Sequence, residues 1–248
     1  MSQPTAPHPV LEKYYPSAEQ RQEFVRSLFD SVARHYNHIG QMLDLGSGLL
    51  YRRQALRRAG LRPGMRLLDV ATGTGLVARG GAAIVAESGR VVGVDPSRGM
   101  LDEARKAVPS PLVQGRAEAL PFRGDLFDML SMGFALRHVA DLEVAFREYG
   151  RVLKPGGRLL LLEVSRPSSS VMRWLIRTHF QRVLPVLARL STGSEPAEVL
   201  MKFYWDTIDQ CVPPDTILDV LRGAGFVDVG RRVYCGFMSE YVAAKPLR

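Results

Sequence analysis

Cysteine is nearly absent. Cys211 and Cys235 are the two present in 248 residues, and no CxxC occurs, which excludes a disulfide-built scaffold. Long apolar runs are missing too, and none approaches the length of a membrane span. Met1 to Pro9 lacks the basic-then-apolar order of a signal peptide, so a cytoplasmic protein is expected. His8, His38 and His179 stand at no metal-ligand spacing, and no metal is expected. There is no internal repeat and no long linker. Acid is missing from one place in particular: Arg166 to Leu190 holds five arginines and no Asp or Glu, within a chain of net charge +8. Such a surface suits nucleic acid, anionic lipid or an acidic substrate, or is simply a solvated face. Nucleic-acid binding is one reading of that charge. Against it, there is no appended RNA-binding module and no basic stretch interleaved with stacking aromatics outside this segment, so no nucleic-acid partner is expected.

What is present is ordinary globular composition at a length that suits one large α/β domain. Residues 1–17 are polar and proline-rich and are expected to be poorly ordered. The rest, 18–248, reads as a single domain. Residues 19–59 carry apolar side chains at helical spacing (Phe24, Leu28, Val32) and predict a helical lid over 18–60. A strand-then-helix rhythm follows. Strands are predicted at Arg66–Ala71, Val91–Asp95, Leu112–Gln114, Phe127–Met132 and the leucine-rich Arg158–Val164. Helices are predicted from Leu76, around Gly99–Ala107 and at Leu142–Leu153, with a turn at 154–157. Alternating units of this kind imply a mostly parallel sheet covered by helices on both faces. Helices at 168–210 interrupt the rhythm, a helix follows at 215–223, and Phe226–Val233 with Phe237–Ala243 reads as an antiparallel pair at the edge. Ligands in such sheets bind at the carboxyl ends of the strands.

Two of those ends carry chemistry. Leu67 to Gly75 is a strand running into a glycine loop that opens a helix, and Gly73 and Gly75 allow a tight turn and close approach of a ligand. Asp95 ends the next strand, twenty residues beyond Gly75, placed to accept hydrogen bonds from the ribose hydroxyls of an adenosine. Taken literally, Gly73-x-Gly75-x-x-Ala78 also fits the dinucleotide fingerprint, which would make the chain an NAD-dependent oxidoreductase. Asp69 argues for S-adenosyl-L-methionine (SAM) instead. Four residues before Gly73, it can answer the positive charge of the methionine end, whereas a pyrophosphate would find it repulsive. The unit also begins only near residue 66, behind a helical region.

Four segments then resemble the ubiquinone/menaquinone biosynthesis C-methyltransferase family. They are Phe29 to Tyr36, the glycine loop, the run from Ala117-Glu118-Ala119-Leu120-Pro121-Phe122 to Arg166-Pro167, and Ala224-Gly225-Phe226. Phe134-Ala135-Leu136-Arg137-His138-Val139 is the more specific mark, and the likeness covers about 22–243. It implies a Rossmann-like class I methyltransferase fold with a seven-stranded sheet, SAM as cofactor and S-adenosyl-L-homocysteine as product. It also implies roles. Gly73, Thr74 and Gly75 hold the methionine part, Asp95 the ribose with Pro96 and Met100 beside it, and Arg116 and Ala117 lie by the adenine. Gly133 lies near the cofactor, and Arg137 near the reacting centre. The chain departs from the family pattern at Asn37, Arg116, Gly133 and His138, where the family commonly has Asp, a small polar residue, Ser and Asn.

Ring-carbon methylation of an aromatic or quinol-type acceptor needs a hydroxyl to lose its proton. His138 is the candidate base and Arg137 the candidate stabiliser of the phenolate; a structural ion pair for Arg137 and a loop cap for His138 are the alternatives. Methylation at oxygen or nitrogen of a soluble metabolite remains open. Tyr36 is a candidate to close over the cofactor. The helices of 168–210 are candidates for a substrate cover. Within them, 168–190 mixes Val171, Met172, Trp174, Leu175, Ile176, Phe180, Val183 and Leu184 with arginines. That is a pattern for core packing or for peripheral contact with the inner face of a membrane. Burial of the Met- and Leu-rich helices near 183–204 in a homodimer is a further alternative.

Overall fold

The computed structural model describes residues 5–44 and 48–247. Residues 1–4 and 45–47, parts of the expected disordered N-terminus and helical lid, lie outside the described residues. In chain order the elements are α1 (Ala18–Asp44), α2 (Gly48–Arg58), β1 (Arg66–Val70), α3 (Leu76–Val85), β2 (Arg90–Asp95), α4 (Arg98–Arg105), β3 (Leu112–Gln114) and β4 (Phe127–Gly133). A 3₁₀ turn (Leu136–His138) then leads to α5 (Leu142–Val152), β5 (Leu153–Val164) and α6 (Ser170–Thr178). A π turn (His179–Val183), α7 (Leu184–Thr192), α8 (Glu195–Asp209), α9 (Pro214–Gly223), β6 (Val227–Tyr234) and β7 (Met238–Ala244) complete the chain.

The seven strands order as β3-β2-β1-β4-β5-β7-β6. The first five are parallel, and β7 runs antiparallel between β5 and β6. Strand order reverses between β1 and β4, so their carboxyl ends part and leave a crevice. Leu159 to Leu162 of β5 are all buried, as a strand covered on both faces requires. One face packs under α5 and α9 and the other under α2 and α3. A third apolar cluster joins α1, α7 and α8 and includes Met100 of α4.

Two expectations change. The turn expected at 154–157 falls inside β5. Phe127 pairs with Leu153 and Met129 with Arg158, so the four residues bulge out of the ladder and the strand resumes after them. Residues 5–17, expected to be poorly ordered, are packed. Leu11 and Tyr15 are buried in the third cluster, and the carbonyls of Thr5 and Pro7 accept from the backbone N–H groups of Leu142 and Val212. Two apolar anchors and two satisfied carbonyls outweigh the polar composition.

Candidate active site

At the crevice lies a cavity of about 460 Å³. Its floor is the loop after β1. Gly75 adopts φ +84°, a left-handed conformation that glycine reaches without a Cβ penalty, and α3 starts at the next residue. Asp69 holds this loop from beneath. Its carboxylate accepts from Thr72 Oγ1 at 2.7 Å, from the Ala78 backbone N–H at 3.1 Å and from Ser131 Oγ at 2.8 Å. It is fully buried and is not part of the cavity wall. The expected contact with the methionine end therefore gives way to a scaffold role: three donors join the glycine loop, α3 and β4 through one carboxylate. Burial pushes its carboxyl up to about 6, against the hydrogen bonds from Thr72, Ser131 and Ala78.

Asp95 does line the cavity. It too is pushed up to about 6 by burial, while Ser97 and Gly73 pull the other way by donating their backbone N–H groups to its two oxygens at 2.9 and 2.8 Å. These bonds fix the plane of the carboxylate and leave each oxygen able to accept once more. Gly73, Pro96, Met100, Arg116, Ala117, Gly133, Tyr36 and His138 share the same wall. At Gly133 an added Cβ would come within 2.8 Å of Val77 Cγ2, so the serine common in the family requires Val77 to move.

Four predicted residues stand off the wall: Asp69, Gly75, Thr74 and Arg137. Thr74 is buried, off the wall, and its hydroxyl donates to Asn37 Oδ1 at 2.5 Å. Arg137 is also buried away from the cavity. Its Nε donates to Glu163 at 2.6 Å, and its fork reaches Thr207 Oγ1 at 2.8 Å and the Tyr204 carbonyl at 3.2 Å. The expected contact with a phenolate is replaced by an ion pair, because the chain turns at Leu136 and sends successive side chains to opposite sides. His138 faces the cavity while Arg137 faces β5 and α8. His138 stacks on Phe203 at 5.5 Å and meets the edge of Phe29 at 5.3 Å, and both ring nitrogens are buried without a partner.

Two contacts at the site escape sequence reasoning. Asp30 on α1 accepts from Ser97 Oγ at 2.6 Å and from the Gly99 backbone N–H at 2.9 Å, fastening α1 over the start of α4. Tyr36 meets Tyr204 hydroxyl to hydroxyl at 2.9 Å, joining α1 to α8 above the cavity. The signal for both lay in the Phe29 to Tyr36 segment, whose likeness to a family carried no contacts. Among the described residues no helix is long and apolar enough to cross a membrane, and no group of three or more His, Cys, Asp or Glu is placed to hold a metal.

The cavity fits an adenosine that bears an amino acid. It offers one carboxylate for a diol, Met100 and Ala117 as apolar surface beside it, and open space above Gly73, where a Cβ would meet nothing within 4 Å. Comparison with known proteins agrees. Residues 16–245 match the ubiE/COQ5 methyltransferase family. The demethylmenaquinone methyltransferase of Symbiobacterium thermophilum is 36% identical over 222 residues, covering 86% of this chain and 88% of that protein. The ubiquinone/menaquinone biosynthesis C-methyltransferase UbiE of Shewanella sediminis is 36% identical over 220 residues, covering 86% of each. The crystal structure of a SAM-dependent methyltransferase from Aquifex aeolicus shares the fold with a TM-score of 0.61 at 20% identity, over 84% of this chain and 97% of that one. The dinucleotide reading of the glycine loop falls away with these matches. The chain belongs to the ubiE/COQ5 methyltransferase family and is a SAM-dependent methyltransferase.

Proposed function

We propose that this enzyme methylates a ring carbon of a quinol-type aromatic acceptor, with His138 as the group that takes the acceptor's hydroxyl proton. The two relatives named for quinone substrates support the substrate class. The observation that carries the role is His138 itself, a cavity-lining imidazole with no partner on either nitrogen. A buried polar group without a partner costs about 1–3 kcal/mol, a cost a bound hydroxyl removes.

In this reading Asp95 accepts from the ribose hydroxyls, Gly73 lets the cofactor's amino-acid end approach the backbone, and Arg116 and Ala117 flank the adenine. Gly133 leaves room between cofactor and acceptor. When bound, SAM supplies an already activated methyl group, so the chain has only to position the acceptor and remove a proton. Burial, and next to it the charge of Arg137, holds the His138 pKa well below its ordinary 6.5. The ring is therefore neutral at pH 7 and presents a lone pair. Phenolate formed beside it offsets the cost of the imidazolium, and the negative ring oxygen drives electron density onto the adjacent carbon. Tyr36 on the cavity wall, held by the Tyr204 hydroxyl of α8, helps to exclude water.

A His138→Ala variant is expected to keep S-adenosylhomocysteine affinity and to lose about 10²–10⁴-fold in kcat on a soluble quinol analogue. The acidic limb of the wild-type pH profile should lie below 6.5. Wild-type turnover by the variant between about pH 6 and 9 would refute the assignment.

A further inference from the structure

Eight of the large apolar side chains exposed on this protein lie in one short segment. They are Val171, Met172, Trp174, Leu175, Val183, Val186, Leu187 and Leu190, with Trp174 63% and Leu190 79% exposed. α6, the π turn and α7 run through them without a break. Phe180, Leu184 and Ala188 turn inward against α1 and α8. The wider π turn takes up one extra residue and brings the exposed set of α7 back into line with that of α6. The result is one apolar stripe about 30 Å long at 1.5 Å per residue.

The charge around the stripe has one sign. No Asp or Glu occurs between Glu163 and Glu195, and five arginines do. Asp209 and Glu198 neutralise Arg173 and Arg189 from behind. Arg177 and Arg182 have no carboxylate partner among the described residues. Along one flank of α6 a second cavity, about 660 Å³, is bordered by Arg166, Arg173, Arg177 and the exposed Trp174.

We propose that the outer face of α6 and α7 seats the protein on an anionic lipid bilayer. The aliphatic side chains and Trp174 enter the acyl boundary, and the arginines meet headgroup phosphates. Charge complementarity selects this occupant over a second copy. In a two-fold dimer the same patch faces itself, and here that brings arginines against arginines with no acid in the segment to answer them.

Vesicle co-sedimentation and tryptophan fluorescence of the full chain test the proposal. Phosphatidylglycerol–phosphatidylcholine vesicles should sediment the protein at low salt and release it at high salt, whereas phosphatidylcholine alone should bind weakly. Trp174 emission should shift to the blue on binding. Trp205, 1% exposed, should stay silent, so a Trp174→Phe variant should bind without a shift. An Arg177→Gln/Arg182→Gln variant should lose about 25-fold in partitioning, from about fivefold per basic residue, with S-adenosylhomocysteine affinity unchanged as the control for folding. Absence of binding to anionic vesicles at low salt overturns the proposal. So does binding that the double variant leaves intact, or a concentration-dependent dimer that buries Trp174 and ignores vesicles.

Discussion

Replacing Asp95 by alanine is expected to weaken S-adenosylhomocysteine binding about 100-fold or more, measured by calorimetry. Two ribose hydroxyls donating to one carboxylate make two charge-assisted hydrogen bonds, each worth about 1.5–3 kcal/mol in a site shielded from water. The loss is larger than the ligand contacts alone suggest, because the same carboxylate receives the Gly73 and Ser97 backbone N–H groups and so holds the two loops that form the wall. The pH dependence of the wild type carries the same signature. Burial sets the Asp95 carboxyl at about 6. The charged form accepts from both hydroxyls more strongly than the acid, which has given one oxygen to its own proton, so binding favours the deprotonated state. Affinity should be full above about pH 7 and should decline toward tenfold per pH unit below 6. The variant should show a flatter profile. Equal affinity for wild type and variant at pH 7 would place the ribose elsewhere.

The fold was legible because its signals are local. The leucine run of β5, the glycine loop and the acid ending β2 each depend on a few adjacent residues, and alternation between strands and helices implies the parallel sheet. Cavity-lining positions at strand ends were legible for the same reason: where a strand stops is where its loop opens on the site. Partners far apart in sequence were not. Nothing near residue 137 tells that its guanidinium turns to Glu163 and α8 while its neighbour turns to the cavity. That division follows from a 3₁₀ turn and from the packing of α8, which lies about seventy residues on. Asp69 shows the same limit. Its charge and spacing suggested a ligand contact. Its complete burial under three donors, which only the folded loop reveals, makes it part of the frame.

The ion pair of Arg137 and Glu163 should dominate stability among the polar groups near the site, and the two halves should not cost the same. Both side chains are about 3% exposed or less. Glu163→Ala leaves a guanidinium that cannot lose its proton, stranded in low dielectric, and is expected to cost about 3–5 kcal/mol. For a domain of this size that lowers Tm by about 10 °C. Arg137→Met leaves a carboxylate instead, and a carboxylate can neutralise. Burial already raises the Glu163 pKa against the pull of Arg137. With the guanidinium gone the pKa rises further, and the folded state keeps a proton that the unfolded state releases. The sign follows from linkage: the Arg137→Met protein should match wild type most closely near the unfolded carboxyl value and lose stability as pH rises through the folded one. Thermal melts across pH should therefore show Glu163→Ala destabilised at every pH and Arg137→Met destabilised mainly at neutral pH and above. An Arg137→Met/Glu163→Leu double variant removes both charges and should recover most of the loss. Its turnover at low temperature separates the two roles of Arg137. Near-normal kcat goes with a residue that fastens β4 to β5 and α8. A fall of 100-fold or more with intact S-adenosylhomocysteine binding would return Arg137 to the reacting centre, as the sequence alone suggested.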